Sequence, residues 1–250
     1  MSLDPWVPHP GFPRQGDACA PRLRLFCLPH AGGSAMLYRP WRQFFPDWVD
    51  LCPIELPGHG ARLGEPAFTR MDKLVDALSE ALEPLLSVPF AFFGHSMGAA
   101  IAYEAAKRLR RATGPLHLFV SARPAPDPEF EPRALHRLSD AGLLAALARF
   151  GGTPLAVLAR ADLMAALLPG IRADLELIET YAPAGNEVLD CPITALGGAE
   201  DRMIDRRGLE SWSGFSRGKF RLRLFPGGHF YLADAAAAVV AELLRDLDRG

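Results

Sequence analysis

The chemistry in this chain of 250 residues starts at a serine. Ser96 sits in Gly94-His95-Ser96-Met97-Gly98, between an apolar run at 90–93 and an alanine-rich stretch of helical character. Gly-x-Ser-x-Gly between a strand and a helix is the pattern of a sharp, strained turn that exposes the serine hydroxyl at its apex. Glycine flanks such a turn because a Cβ there would strike the neighbouring strand or helix. The five residues alone are a weak signal; the strand-turn-helix context gives them weight. A serine hydroxyl becomes a good nucleophile only beside a base. That base needs an acid to orient it, and backbone donors must hold the oxyanion that forms.

Candidates for each part lie elsewhere in the chain. The stretch 29–35, Pro-His-Ala-Gly-Gly-Ser-Ala, follows a strand-like run, and its glycines let backbone amides approach a substrate. The N–H groups of Ala31 and Met97 are assigned as the two oxyanion donors. Asp201, in Gly197-Gly198-Ala199-Glu200-Asp201-Arg202, is assigned as the orienting acid. Glu200 and Asp205 remain its rivals, since neither spacing nor charge excludes them. His229, in Pro226-Gly227-Gly228-His229-Phe230, is assigned as the base. His59 competes for that role but precedes the serine, whereas this kind of turn goes with the chain order serine, acid, histidine.

These residues need a scaffold that brings distant loops to one place. Strand-like runs at 22–28, 49–56, 90–93, 116–120, 191–196 and 220–225 alternate with helical stretches at 71–86, 99–111 and 233–247. Every assigned residue falls just after a strand. The alternation predicts an α/β class with a mostly parallel central sheet flanked by helices, and the Gly-x-Ser-x-Gly turn with the order serine, acid, histidine resembles the α/β-hydrolase fold. The proline-rich segment 1–21 reads as an extended arm that Trp6 and Phe12 tack onto the body, and 22–250 as the hydrolase domain. Between the fourth and fifth strands, 134–181 lacks strand-like alternation, and about 127–185 reads as an inserted helical lid. Its helices are expected at 140–150, 155–168 and 171–181, with Gly151-Gly152-Thr153-Pro154 as a flexible break. The lid carries more Leu and Met than one buried face requires. The surplus either fills the lid's own core or lines an acyl pocket.

Composition narrows the function classes. With 49% hydrophobic residues, a formal net charge of −2 and scattered Lys and Arg, the chain offers no field for nucleic acid or an anionic membrane. Cys19, Cys27, Cys52 and Cys191 show no Cys-x-x-Cys spacing, so free thiols are expected. His30, His59, His95, His117, His136 and His229 show no paired ligand spacing, so neither a metal nor any other cofactor is expected. The absence of an apolar leader or a run of spanning length points to a cytoplasmic protein, with a monomer as the default.

The combination of motifs is similar to that of type II thioesterases, the stand-alone editing hydrolases of polyketide and nonribosomal peptide assembly lines. The resemblance rests on Leu28-Pro29-His30-Ala31-Gly32-Gly33-Ser34, Leu56-Pro57-Gly58-His59-Gly60-Ala61-Arg62, Phe93-Gly94-His95-Ser96-Met97-Gly98-Ala99 and Phe225-Pro226-Gly227-Gly228-His229-Phe230-Tyr231-Leu232. It spans about 22–244, nearly all but the arm, and members from siderophore pathways come nearest. It implies hydrolysis of acyl groups misattached to the phosphopantetheine arm of carrier proteins, with a four-helix-like lid screening the acyl chain and a carrier docking at the lid edge. An oxygen-ester carboxylesterase or lipase would share every catalytic residue. A catalytically idle fold serving as a binding module, or an acyl transferase or cyclase, are the further alternatives.

Overall fold

The computed structural model describes residues 5–8, 21–110, 114–126, 133–183, 185 and 187–248. Its centre is a sheet of six parallel strands: β1 (Leu23–Leu28), β2 (Val49–Pro53), β3 (Phe90–His95), β4 (Leu118–Ser121), β5 (Ile193–Gly198) and β6 (Phe220–Phe225). They lie side by side in the order β2-β1-β3-β4-β5-β6. β1 thus passes the chain outward to β2, and β3 then returns to its other side. That reversal opens a crevice at the carboxyl ends of β1 and β3, where open α/β sheets carry their sites.

A parallel sheet covered on both faces reads as near-continuous apolar strands, and the period of two decides which side chain goes to which face. Along β1, Phe26 and Leu28 enter one core with Phe90 and Phe92 of β3. Helices α1 (Met71–Leu82) and α2 (Met97–Leu109) pack on this face through Leu74, Leu78, Ala102 and Ala106. Leu25 and Cys27 point to the opposite core, with Phe93, Tyr38, Trp41 and the last helix, which spans Ala236–Leu247. Arg221 and Arg223 on the edge strand β6 reach that same helix, pairing with Asp246 at 2.8 Å and Glu242 at 3.1 Å. An edge strand is thereby kept charged and unattractive to further strands.

Between β4 and β5 lie α3 (Asp140–Phe150), α4 (Leu155–Leu158) and α5 (Ala161–Glu179), preceded by a 3-10 turn at Leu135–Arg137. Among the described residues the insert carries three helices and one 3-10 turn, where the resemblance implies a four-helix-like lid. Ser139 caps α3 by accepting the Gly142 N–H, as Ser-Asp at a helix start suggests. The expected helix at 155–168 is divided at 159–160, and its second half runs on through Pro169 to join the one expected at 171. A proline removes one helical hydrogen bond but need not end a helix whose two halves are both packed. Leu168 and Ile171, on either side of Pro169-Gly170, are both buried with Leu143 and Met164 in a core of the insert's own.

The remaining boundaries move by a few residues. α1 gives way at Glu83 to a 3-10 turn carrying Pro84, and the last helix begins at Ala236 after a 3-10 turn at Tyr231–Ala233. The first helical stretch, Ala35–Phe44, is itself 3-10 and contains Pro40. α6 (Arg206–Glu210) completes the order, with the final helix as α7. Trp6 lies on the body beneath the Arg62 guanidinium, 4.5 Å from its ring centroid, and its carbonyl accepts the Glu55 N–H. Phe12 and Cys19 lie outside the described residues. Cys27 and Cys52 are buried free thiols, and Cys191, also free, is partly buried.

Candidate active site

The turn after β3 explains its own sequence. A Cβ on Gly94 would lie far inside contact distance of the Gly98 carbonyl, and one on Gly98 would strike the Leu28 carbonyl of β1. Only glycine permits α2 to start this close to the sheet. Ser96 holds φ 54° and ψ −115°, a left-side conformation costly for a residue with a Cβ. Its backbone is pinned there, the N–H donating to the Ser121 carbonyl at 2.7 Å. Stored strain of this kind aims the hydroxyl outward, at the N-terminus of α2, whose dipole favours negative charge.

The loop after β6 brings His229 to this hydroxyl, Nε2 standing 3.1 Å from Ser96 Oγ. Its Nδ1 lies 2.8 Å from Asp201 Oδ2, on the loop after β5. The other Asp201 oxygen accepts the N–H groups of Met203 and Ile204, which fixes the carboxylate in place. Burial opposes the charge on Asp201, but His229 and these two amides outweigh it and hold its carboxyl below the usual range. The rival acids are committed elsewhere: Glu200 accepts the Gly227 N–H, and Asp205 caps α6 through the Gly208 N–H at 2.8 Å. His59 does not approach the serine; it is buried against α5, with Nε2 2.8 Å from Asp174 Oδ2.

Opposite the histidine, the loop at 29–35 presents the Ala31 amide. The Gly32 N–H donates to Asp174 Oδ2 at 2.7 Å and the Gly33 N–H to the His30 carbonyl at 2.8 Å. The Ala31 N–H has no partner among the described residues; the His30 carbonyl of the same peptide unit is held by the Gly33 N–H, and the Ala31 carbonyl of the next unit takes a hydrogen bond from His30 Nδ1 at 3.0 Å. Met97, as the first residue of α2, has no acceptor within its helix. These are the two amides that the sequence singles out.

Two buried groups around the site carry no signal in the linear sequence. His95, 1% exposed, has Nδ1 2.8 Å from Ser121 Oγ, which in turn lies 2.8 Å from the Tyr231 hydroxyl. This chain ties the end of β3 to the segment that follows His229. Burial drives the His95 imidazole well below its ordinary range, with His229 and His30 adding to the effect, so it stays neutral. Asp174 is the second. Its partners at Gly32 and His59 are more than a hundred positions away, beyond the reach of any local pattern.

From Ser96 a cavity of about 170 Å³ runs beneath the inserted helices, lined by Leu147, Phe150, Ile171, Leu175 and Ile178. The surplus apolar residues of the insert therefore serve both purposes. Leu143, Met164 and Leu168 fill its interior, Leu147, Leu175 and Ile178 face the cavity, and Ile171 does both. A wider polar groove of about 710 Å³ lies across α1 and α2, away from Ser96, and its charges are paired among themselves, Lys107 with Glu104 and Arg108 with Asp76. Among the described residues no group of three or more His, Cys, Asp or Glu could hold a metal ion, and no helix is long and apolar enough to cross a membrane.

Known proteins resemble this chain in sequence and fold. The gramicidin S biosynthesis protein GrsT of Aneurinibacillus migulanus is 38% identical over 230 residues, covering 91% of this chain and 90% of the relative. The structure of RedJ, a thioesterase from the prodiginine pathway of Streptomyces coelicolor, superposes with a TM-score of 0.85 at 38% identity, covering 96% of this chain and 92% of that one. BorB, a type II thioesterase from the borrelidin biosynthetic cluster, superposes with a TM-score of 0.87 at 36% identity, covering 99% of each chain. The thioesterase domain family matches residues 23–247, which take in the whole sheet and every residue of the site. The chain is an α/β-hydrolase fold and belongs to the thioesterase domain family.

Proposed function

We propose that this protein hydrolyses acyl thioesters carried on the phosphopantetheine arm of carrier proteins, clearing aberrant acyl groups from a polyketide or nonribosomal peptide assembly line. The observation that carries the reading is the Ser96–His229–Asp201 line, with contacts of 3.1 and 2.8 Å, at the mouth of an apolar cavity in a chain of the thioesterase family. His229 takes the Ser96 proton through Nε2 as Oγ attacks the thioester carbonyl. The oxyanion that forms is held by the N–H groups of Ala31 and Met97, donors worth roughly 3–4 kcal/mol each in comparable enzymes. Collapse expels the thiol, which receives the proton from His229, and leaves an acyl ester on Ser96. Water then attacks that ester, giving a proton to His229, which passes it to Ser96 Oγ as the acyl–oxygen bond breaks, and the carboxylic acid is released with the enzyme restored.

Nucleophile, base, orienting acid and oxyanion donors all come from the chain, so the proposed reaction draws on no metal or cofactor of the enzyme's own; the phosphopantetheine belongs to the substrate. The cavity offers an acyl group the apolar side chains of Leu147, Ile171, Leu175 and Ile178, with Arg123, Arg133 and Glu179 also in its lining. Such an enzyme would work as a cytoplasmic monomer beside its synthetase. The discriminating experiment presents one acyl group in three forms: on holo-carrier protein, on a pantetheine-type thiol and as an oxygen ester. A marked preference in kcat/KM for the carrier-bound thioester is expected. Equal or faster turnover of the oxygen ester, with no gain from the carrier, would instead make this a general carboxylesterase.

A further inference from the structure

The segment 57–62 and the acid Asp174 take no part in the triad, yet Pro57, Gly58, His59 and Asp174 are buried around the loop that offers the Ala31 amide. α5 approaches this segment so closely that a Cβ on Gly170 would come within 2.7 Å of the Gly58 carbonyl. One turn further on, Asp174 is 4% exposed and its Oδ2 meets both the Gly32 N–H, at 2.7 Å, and His59 Nε2, at 2.8 Å. The His59 contact is an ion pair when the imidazole is protonated. At the far end of the same loop Glu55, 2% exposed, accepts the Ala35 N–H at 3.1 Å and the Ala61 N–H at 3.3 Å. The oxyanion loop is therefore gripped at Gly32 from α5 and at Ala35 from the end of β2.

We propose that Asp174 is a positioning residue for hydrolysis: through the Gly32 N–H it fixes the peptide next to Ala31, and His59 neutralises its charge. The proposal rests on Ala31 serving as an oxyanion donor. A carboxylate beside that donor is needed for geometry but harmful by charge, because it would repel the oxyanion the donor must hold. A buried carboxylate also requires a partner, and His59 supplies one. The groups facing the His59 ring are Asp174 from α5, Glu55 from the strand side, the Pro57 carbonyl at 3.1 Å and His30 from the oxyanion loop. Burial disfavours the imidazolium, yet Asp174, Pro57 and Glu55 together raise the His59 pKa above its ordinary value. The second glycine-rich motif is thus accounted for as the counterion and backing of the oxyanion loop.

The test compares Asp174→Ala, Asp174→Asn, His59→Gln and the double variant His59→Gln/Asp174→Asn in the full chain. Each is assayed for kcat per site titrated by a fluorophosphonate, on an acyl pantetheine thioester and on an activated oxygen ester. Asp174→Ala should lose ten- to a hundredfold in kcat with little change in KM, because an oxyanion donor acts in the transition state. Asp174→Asn, which keeps an acceptor for Gly32, should stay within about fivefold of wild type. His59→Gln leaves the carboxylate bare and should lose about tenfold, and adding Asp174→Asn should restore most of that loss. Wild-type kcat per titrated site in Asp174→Ala, or a double variant no better than His59→Gln, would overturn the proposal. The oxygen-ester arm reads the oxyanion loop even if wild type fails to hydrolyse the thioester, a failure that would count against the proposed function alone.

Discussion

Asp201 is one of three acids between positions 200 and 205, and only its surroundings distinguish it. It alone meets the imidazole, while Glu200 and Asp205 spend their oxygens on backbone amides. That difference could not be read from the sequence, because it depends on which way each side chain of one short loop turns. Ser96 and His229 were legible, since each lies in a glycine-bounded motif just after a strand. Asp174 was illegible for the opposite reason: it sits in an ordinary helical stretch and acquires its partners only through folding. Asp201→Asn should leave the fold intact and reduce kcat by about ten-thousandfold, through loss of the histidine's orientation and tautomer. Steady-state kinetics beside the same change at Asp205 would check this. A dead Asp205→Asn with a near-normal Asp201→Asn would reassign the acid.

At the scale of elements, periodicity located every strand and most helices because β1 and β3 to β5 are apolar on both faces and α1 is amphipathic. It erred where tertiary packing overrules local preference. Pro169 suggests a helix end, but the burial of Leu168 and Ile171 carries α5 through it. The junction most demanding of its sequence is the one between β3 and α2, where the helix start touches the carbonyl of Leu28. Gly98→Ala would force those two backbones apart. It should destabilise the protein by about 1–3 kcal/mol or more and lower activity further than stability, since the Met97 amide moves with it. Denaturant melts and kcat per titrated site separate the two effects; wild-type stability in the Gly98→Ala protein would contradict the close approach.

For the molecule as a whole, several buried histidines set how stability depends on pH. Burial lowers the pKa of His117, which stacks on Phe119 of β4, from 6.5 to about 4. Between those values the unfolded chain binds more protons than the folded one, so stability falls as the pH drops through that window. The contribution of His117 is about 3 kcal/mol at the most. His95 and His30, also lowered, act in the same direction, and the lowered carboxyl of Asp201 adds a loss below 3.8. His59 works the other way: its pKa is raised, so its contribution is complete below 6.5 and fades as the pH rises through its folded value. Thermal melts between pH 7 and 4.5 should show a declining Tm, with a shallower decline in His117→Gln. Parallel profiles for the two proteins would show that His117 does not titrate as its burial requires.

The whole account turns on Ser96, and the most direct measurement is thioester hydrolysis by Ser96→Ala with the Tm followed alongside. With the nucleophile gone and the fold unchanged, kcat should drop by about a millionfold, as it does when comparable serine hydrolases lose theirs. Near-normal turnover by a folded Ser96→Ala protein would contradict the mechanism at its first step.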